Sequence, residues 1–380
     1  MKKILLFFLI SLLFLIVSCG KTASEQGVSG QSESRSFSVT DSRGETVELP
    51  GEIKSIAAFP APLPHIIVYL DGNAERIKGL HPLAKKAAEV SVLSRIAPSL
   101  LEAEDNFLTG SLLNTEELLK IKPDVFFTDQ VLQGMDKLKE SGLPVIYLGL
   151  EKDRMNYRGK EIEFYSPEKS IRGWVDITAA VLGTEKEKAA AIFEEWDSVK
   201  KEIAEKTASI PDEKKKKILI VFKAAGNMVA GGNSFGQYWI ASTGGINCAD
   251  EVTANHPAMV KIADFEQVLK WNPDIVYLTN FAETMPEDIY GNKIQGQDWS
   301  GTSAYKNRAV YKIPLGNYRW YPPSLDGPLM LKWMAVKNYP GLFNWDMYRE
   351  IREYYKKYFN YALTDVEIHN ILNPAGSGNF

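Results

Sequence analysis

The stretch Thr115–Phe127, TEELLKIKPDVFF, recurs in altered form at Phe265–Tyr277 as FEQVLKWNPDIVY. Each copy has an acid at its start, an apolar helical pattern, the dipeptide Pro-Asp and then an apolar run. The offset between the two acids is 266 − 116 = 150 residues, which is about the length of one domain. The repeat therefore predicts that two similar domains follow each other in one chain.

Each copy lies in a series of helices that alternate with continuous apolar segments. Residues 53–59 and 143–149 surround the first copy, and the segment that begins KKILIVF precedes the second. Strands that are apolar along their whole length are typical of parallel sheets with both faces covered by helices. The sequence thus predicts an α/β fold of two Rossmann-like lobes with central parallel sheets, at 37–183 and 209–380.

A single long helix is predicted between the lobes, over residues 184–208. Thr184 and Glu187 have the spacing of a capping box, which favours a helix start at this point. The apolar positions recur at spacings typical of one narrow helical stripe: Ile192, Trp196, Val199 and Ile203. At ~1.5 Å per residue this helix would be roughly 37 Å long, so we expect it to be a rigid connector.

The N-terminus predicts export from the cytoplasm. Residues 4–17 are apolar except for Ser11 and follow a basic start, but a helix of this length is only ~21 Å long and spans a ~30 Å hydrocarbon core poorly. Residues 1–18 are therefore predicted to be a signal peptide. The sequence up to Cys19 resembles a lipobox, so residues 19–36 are predicted to be a lipidated Cys19 and a flexible tether.

The composition argues against several classes of function. The formal net charge is −4 with acids and bases interspersed, so no nucleic-acid partner is predicted. The chain has two cysteines, and with Cys19 lipidated Cys248 has no partner for a disulfide.

One motif suggests an enzyme. Residues 232–236, GNSFG, match the G-x-S-x-G of serine hydrolases, and Asp326 and His369 follow in the order of a triad. A single hydrolase sheet does not predict a repeat at 150 residues or a long helix upstream of Ser234. A secreted serine hydrolase that uses Ser234 is therefore kept only as a remote alternative.

Several segments together resemble class III substrate-binding proteins of ABC importers, which deliver metal chelates. The resemblance covers about 37–372, and its carriers are VTDSRGETVELP, NTEELLKIKPDVFF, the long helix, GGNSFGQYWIASTGGINCADEV, FEQVLKWNPDIVYLT and SAYKNRAVYKIPLG. It implies that Glu116 and Glu266 lie on top of the two lobes and dock onto a permease dimer. It also implies a monomer with modest closure around the ligand.

The ligand is expected at the carboxyl ends of the strands, where loops lead into helices. The loop after the last predicted strand is rich in aromatic residues and includes an arginine, which suits an anionic chelate. Histidines in other loops suit a transition metal, and a tyrosine phenolate suits iron(III). The predicted ligand-binding residues are Tyr318, Arg319, Trp320, Tyr321, His65, His81, His256, Phe235 and Trp239, with His81, His256 and Tyr318 as possible metal ligands.

The sequence predicts a lipid-anchored binding protein on the periplasmic or extracellular face of the cell membrane. Its expected ligand is an iron(III) chelate of the siderophore or haem class, and it has no cofactor. A carrier of chelated nickel, cobalt or cobalamin is the alternative within the same class. Neither catalysis nor a catalytic residue is predicted.

Overall fold

The structure is a computed structural model that describes residues 36–110 and 112–376. The predicted signal peptide and Cys19 lie outside these residues, as does nearly all of the tether. The described residues belong to one compact unit. Among them, no helix has both the length and the apolar character needed to cross a membrane.

The N-terminal lobe is built on a parallel sheet of four strands. The strands up to the middle of the chain are β1 (Phe37–Thr40), β2 (Thr46–Leu49), β3 (Ile56–Ala58), β4 (Ile77–Leu80), β5 (Leu108–Thr109), β6 (Leu112–Leu113), β7 (Val125–Thr128), β8 (Val145–Tyr147), β9 (Lys152–Tyr157) and β10 (Lys160–Tyr165). The central sheet has the order β4-β3-β7-β8, with all neighbours parallel. The pairs β1–β2, β5–β6 and β9–β10 are antiparallel hairpins.

Helices cover this sheet and lead out of the lobe. They are α1 (Leu63–Asp71), α2 (Pro82–Glu89), α3 (Leu93–Ile96), α4 (Thr115–Ile121), α5 (Met135–Glu140), α6 (Pro167–Leu182) and α7 (Lys186–Thr207). All four strands of the sheet end on the same edge, so the loops that enter α1, α2 and α5 lie together.

The C-terminal lobe repeats this plan with a mixed sheet. Its strands are β11 (Lys217–Lys223), β12 (Met228–Val229), β13 (Ile246–Asn247), β14 (Val260–Lys261), β15 (Ile275–Leu278) and β16 (Val310–Lys312). The order is β14-β12-β11-β15-β16, with β13 also beside β11. Strands β11, β15 and β16 are parallel as predicted, and the short strand β13 is also parallel to β11, whereas β12 and β14 run antiparallel at one side.

The remaining helices are α8 (Phe235–Ser242), α9 (Glu266–Trp271), α10 (Pro286–Tyr290), α11 (Ser303–Lys306), α12 (Gly327–Asn338), α13 (Met347–Phe359) and α14 (Asp365–Leu372). The predicted α/β architecture of two lobes is confirmed.

The repeated aspartates fasten neighbouring strands to each other. Asp124 Oδ2 accepts hydrogen bonds from Lys54 N at 2.7 Å and Ser55 N at 2.9 Å, just before β3. Asp274 Oδ2 accepts one from Lys217 N at 2.9 Å, at the start of β11. In each lobe the aspartate of the repeat therefore joins the start of one strand to the start of its parallel neighbour: β7 to β3 in the N-terminal lobe and β15 to β11 in the C-terminal lobe.

Helix α7 begins two residues later than predicted, and the predicted capping box is wrong. The N-cap is Glu185, without a side-chain cap. Thr184 cannot begin the helix because its amide closes the end of α6, donating to Ala179 O at 2.9 Å after Gly183 in the left-handed region. The apolar stripe is buried as predicted, with Trp196 fully inaccessible. A Cβ on Gly327 would lie 1.8 Å from the Trp196 ring, so α12 packs against α7 at this glycine.

Candidate ligand-binding site

A cavity of about 750 Å³ lies where the carboxyl ends of both sheets meet. The N-terminal lobe contributes residues that follow β3, β4, β7 and β8, and the C-terminal lobe contributes residues that follow β12, β15 and β16. Most of the lining is aromatic, proline or aliphatic: Phe59, Ala61, Pro62, Pro82, Leu83, Leu150, Trp174, Phe235, Phe281, Pro322 and Pro323. The other lining residues are His81, Gly110, Asp129, Gln130 and Tyr318. We refer to this cavity as the cleft.

Of the four ligand-binding residues predicted in the aromatic loop, Tyr318 lines the cleft. Burial raises the pKa of its phenol, although the neighbouring Arg319 opposes this by its charge and a hydrogen bond. The phenol therefore keeps its proton at neutral pH and can donate a hydrogen bond into the cleft.

Arg319 itself is 1% exposed and lies behind the cleft wall. Its Nε donates to Asn280 O at 3.1 Å, and its guanidinium carbon lies 5.0 Å from the centre of the Phe281 ring. Arg319 therefore supports two lining residues, Tyr318 and Phe281, rather than lining the cleft.

A buried carboxylate holds the backbone of this loop. Asp326 Oδ2 accepts hydrogen bonds from Asn317 N at 2.9 Å and Trp320 Nε1 at 3.0 Å. It also accepts one from the Tyr355 hydroxyl of α13 at 3.0 Å. Burial raises the pKa of Asp326 to about 7 despite these three donors. The C-terminal helix α13 thus fixes the loop that carries Tyr318.

His65 lies behind Tyr318 and not in the cleft. It is 1% exposed, its ring stacks parallel to that of Tyr318 at 5.9 Å, and its Nε2 accepts a hydrogen bond from Leu325 N at 3.0 Å. The other ring nitrogen bonds to the backbone of Pro62. Burial lowers the pKa of His65 to about 3, so the ring is neutral and both nitrogens are used within the protein. The structure gives it the role of a contact between the lobes.

His81 does line the cleft, and its tautomer is set by the fold. It is the N-cap of α2, where its Nδ1 accepts a hydrogen bond from Leu83 N at 2.9 Å. Burial lowers the pKa of His81, so the neutral ring carries its proton on Nε2. In this arrangement His81 is a hydrogen-bond donor, because Nε2 has no free lone pair for a metal.

His256 is exposed and does not line the cleft. Its Nδ1 accepts a hydrogen bond from Ala258 N at 3.1 Å, the same local pattern as at His81. Among residues 36–110 and 112–376, no group of three or more His, Cys, Asp or Glu side chains could hold a metal ion.

Three of the predicted aromatic residues lie in the core. Trp320, Tyr321 and Trp239 are each inaccessible to solvent. Trp239 Nε1 donates to Tyr321 O at 2.7 Å, and the hydroxyl of Tyr321 donates to Ala258 O. Phe235, in contrast, lines the cleft at the start of α8. The structure therefore brings Tyr318, His81 and Phe235 together from the predicted set.

The residues of the hydrolase alternative do not form a triad. The hydroxyl of Ser234 donates to Gly231 O at 2.8 Å and caps α8 by accepting from Gly236 N at 3.2 Å. The exposed His369 of α14 lies beside the Tyr348 hydroxyl, and Asp326 is held as described above.

Glu116 and Glu266 are exposed in the first turns of α4 and α9. The two helices occupy equivalent places in the two lobes, and each ends in a left-handed residue, Lys122 or Asn272, before a proline. Their acids are free of the core and accessible to a partner.

Sequence reasoning missed Asp129, which lines the cleft directly after β7. Limited solvation in the concave wall raises the pKa of its carboxyl to about 6. The signal was present, because Asp129 is among the first polar residues after a buried strand, at the edge where ligands bind. Three aromatic lining residues were also missed: Phe59, Phe281 and Trp174. The sequence around them does not distinguish an aromatic residue that lines a cleft from one that packs in the core.

The family model described as "periplasmic binding protein" matches residues 67–315, which is more than half of the chain. The chain belongs to the periplasmic binding protein family. It is an extracytoplasmic solute-binding component of an ABC transporter and not an enzyme, which also excludes hydrolysis at Ser234.

Solved structures agree with this family. A periplasmic solute-binding protein from Veillonella parvula is 33% identical, with a TM-score of 0.77 over 89% of this chain and 97% of that one. The molybdate-binding protein MolA of Haemophilus influenzae is 22% identical over 334 residues, which is 84% of this chain and 90% of MolA. Its molybdate-bound structure has a TM-score of 0.70 and covers 86% of this chain and 99% of that chain.

A third structure is similar at the level of the fold. Helicobacter pylori CeuE with bound Ni(II) is 20% identical, with a TM-score of 0.64 over 88% of this chain and 99% of that one. These two proteins of similar fold were solved with different metals, molybdate in MolA and Ni(II) in CeuE.

Proposed function

We propose that this binding protein captures a metal chelate, with iron(III) complexes of the siderophore or haem class first among them, and delivers it to an ABC permease. The observation that carries the proposal is the cleft of about 750 Å³, whose walls are mainly aromatic, proline and aliphatic. Pockets of roughly 300–1,000 Å³ suit organic ligands of drug-like size. Apolar walls of this extent gain free energy only from a ligand that has carbon surface of its own.

The polar groups of the cleft support a ligand that arrives with its metal already coordinated. The protonated phenol of Tyr318 and the Nε2–H of His81 are both donors. Neither is a metal ligand in this state, but both match the oxygen atoms on the outside of a catecholate, hydroxamate or carboxylate chelate. The chelator would thus supply the metal's ligands, and the protein would bind the chelator.

A second candidate is a bare metal oxyanion. The same two donors favour it, together with the similarity to MolA, whose structure contains molybdate. A tetrahedral oxyanion would leave most of the cleft empty or wet, since a single water occupies only ≈ 30 Å³ of liquid volume. The volume of the cleft therefore favours the larger ligand.

Fluorescence titration distinguishes the two candidates, because Trp174 lines the cleft. The panel is ferric catecholate, ferric hydroxamate, ferric citrate, haem, cobalamin, nickel–histidine and molybdate. We expect saturable quenching by at least one iron(III) complex, reduced in Trp174→Phe but retained in Trp271→Phe on the distant helix α9. Saturation by molybdate alone would favour the second candidate. Saturation by cobalamin or nickel–histidine alone would favour a carrier of that chelate instead of an iron(III) complex.

The proposal includes the partners of the protein. Glu116 and Glu266 are exposed at equivalent first turns, where the helix dipole favours an acidic side chain. Their positions support docking of one acid on each half of a permease dimer. We further propose a monomer anchored through lipidated Cys19, with the lobes at 37–183 and 209–380 and the connector at 184–208.

A further inference from the structure

The hairpin β9–β10 extends from the N-terminal lobe onto the C-terminal lobe. It lies between β8, the last strand of the first sheet, and α6. Its two strands pair in register from Lys152↔Tyr165 to Lys160↔Tyr157, and the turn uses Arg158 and Gly159 at positive φ. The hairpin is thus a second crossing between the lobes, formed before the chain enters α7.

Polar contacts join the hairpin to the C-terminal lobe. The Tyr157 hydroxyl accepts a hydrogen bond from Asn247 N at 2.9 Å. Arg158 Nη1 lies 3.3 Å from Asp250 Oδ2. Tyr165 N donates to Asn233 O at 3.0 Å. The contacts occur at the turn and at the far end of the hairpin, so both of its ends are fixed to the other lobe.

These contacts reach the wall of the cleft. Asn233 stands two residues before Phe235, a lining residue, and the ring of Tyr165 meets that of Phe235 edge-on at 6.4 Å. Asn247 is 1% exposed, and its side-chain amide donates to Gln237 Oε1 at 3.0 Å on the same helix, α8. The hairpin therefore holds both the start of α8 and the loop behind it.

Four charged side chains of the hairpin are directed to water. Arg154 pairs with Glu161 at 3.8 Å and Lys152 with Glu163 at 3.6 Å, with 40–74% of these side chains exposed. Both pairs lie within the hairpin and touch neither lobe. Arg158, which contacts the C-terminal lobe, can therefore be compared directly with Arg154, which pairs within the hairpin.

We propose that the hairpin is a clasp: Tyr157 and Arg158 are positioning residues that limit separation of the lobes and hold the Phe235 wall of the cleft in place. The lobes are then tied on the hairpin side even without ligand, and the cleft opens from its other side. The proposal concerns the protein without ligand, so it stands or fails separately from the identity of the chelate.

Distances between spin labels on the two lobes test the clasp. Cysteines that carry the labels replace Lys137 on α5 and Lys270 on α9, both of which are exposed. Cys248→Ala first removes the natural thiol among the described residues, so that the labels report only the separation of the lobes. In the ligand-free protein we expect Tyr157→Phe with Arg158→Ala to increase the population at longer distances roughly fivefold, as expected for loss of about one net hydrogen bond.

Arg154→Ala is the matched control and should reproduce the parent distribution. Thermal unfolding of each variant shows whether the fold is intact, and if the double variant does not fold, Arg158→Ala alone carries the test. An unchanged distance distribution in a folded Arg158→Ala variant, or an equal change in Arg154→Ala, would overturn the proposal.

Discussion

Glu168 connects three helices across the two lobes, and its replacement tests how rigidly they are joined. It is 7% exposed at the start of α6. Its carboxylate accepts from Lys200 on α7 at 2.6 Å, from the Tyr238 hydroxyl on α8 at 2.7 Å and from Arg172 at 2.9 Å. The Tyr238 hydroxyl also accepts from Trp196 Nε1 at 2.8 Å, which extends the network into the core of α7.

We expect Glu168→Gln to lower the free energy of unfolding by about 2 kcal/mol and Glu168→Ala by about 3–4 kcal/mol. A hydrogen bond to a charged group contributes ~1.5–3 kcal/mol, but Lys200 and Arg172 are 37% and 29% exposed and regain water when the charge is removed. Alanine costs more because the buried hydroxyl of Tyr238 then also loses its acceptor, and breaking a buried pair typically costs ~3–5 kcal/mol.

Urea unfolding followed by tryptophan fluorescence measures both values, and pH provides an independent check. Burial alone would raise the pKa of Glu168, but Lys200, Tyr238 and Arg172 outweigh it and hold the pKa below its ordinary value of 4.5. The stabilisation is therefore present above pH 4.5 and lost as pH falls through the lowered pKa, so wild type and Glu168→Gln should converge in acid.

Glu161→Gln is the control, because this acid is 74% exposed and pairs only within the hairpin. If Glu168→Gln is no more destabilising than Glu161→Gln, the network does not join the helices and the reasoning is refuted.

Three further predictions concern packing, pH and docking. Gly327→Ala should destabilise the protein by at least ~1–3 kcal/mol in urea unfolding, because its Cβ would overlap the ring of Trp196. The stability difference between wild type and Asp326→Asn should fall as pH rises from about 4 towards 7, by up to ~1.4 kcal/mol per unit, since the folded pKa of Asp326, about 7, exceeds its unfolded one. Glu116→Arg and Glu266→Arg should each reduce stimulation of permease ATPase activity in proteoliposomes while leaving chelate affinity unchanged.

Matched variants make these outcomes decisive. Gly173→Ala on α6 has open space for its Cβ and should be harmless, whereas equal effects at both glycines would contradict the packing argument. Asp326→Asn should lack this contribution, and parallel pH profiles of wild type and Asp326→Asn would assign the titration to another group. Replacement of the exposed Glu140 of α5, Glu140→Arg, should leave ATPase stimulation intact, and a similar loss there would indicate a general charge effect.

The parts of the fold that follow from periodicity were predictable from sequence. The repeat located both helix–strand junctions, and the buried stripe of α7 was identified from its spacing. The start of α7 was not predictable. Thr184 fits both a capping box for α7 and the C-terminal cap of α6, and in the structure its amide hydrogen-bonds to the end of α6. A capping box is a local signal, and a neighbouring helix can use the same backbone group.

The cleft was predictable in place but not in detail. Loops at the carboxyl ends of strands gave the right region, yet Trp320 and Tyr321 point into the core while Tyr318 lines the cavity. In an irregular loop no period tells successive side chains apart, so their directions depend on Asp326 and α13, far along the chain. His65 was misplaced for the same reason, because its partner Leu325 lies 260 residues away.

The central claim is that a metal chelate binds between the two sheets, against Tyr318 and the apolar walls of the cleft. Anomalous scattering at the iron edge, from crystals grown with the ferric complex that quenches Trp174 most strongly, tests it directly. We expect one iron peak within the cleft, coordinated by the chelator and flanked by Tyr318 and His81. An iron peak outside the cleft, or iron bound directly to protein side chains, would contradict it.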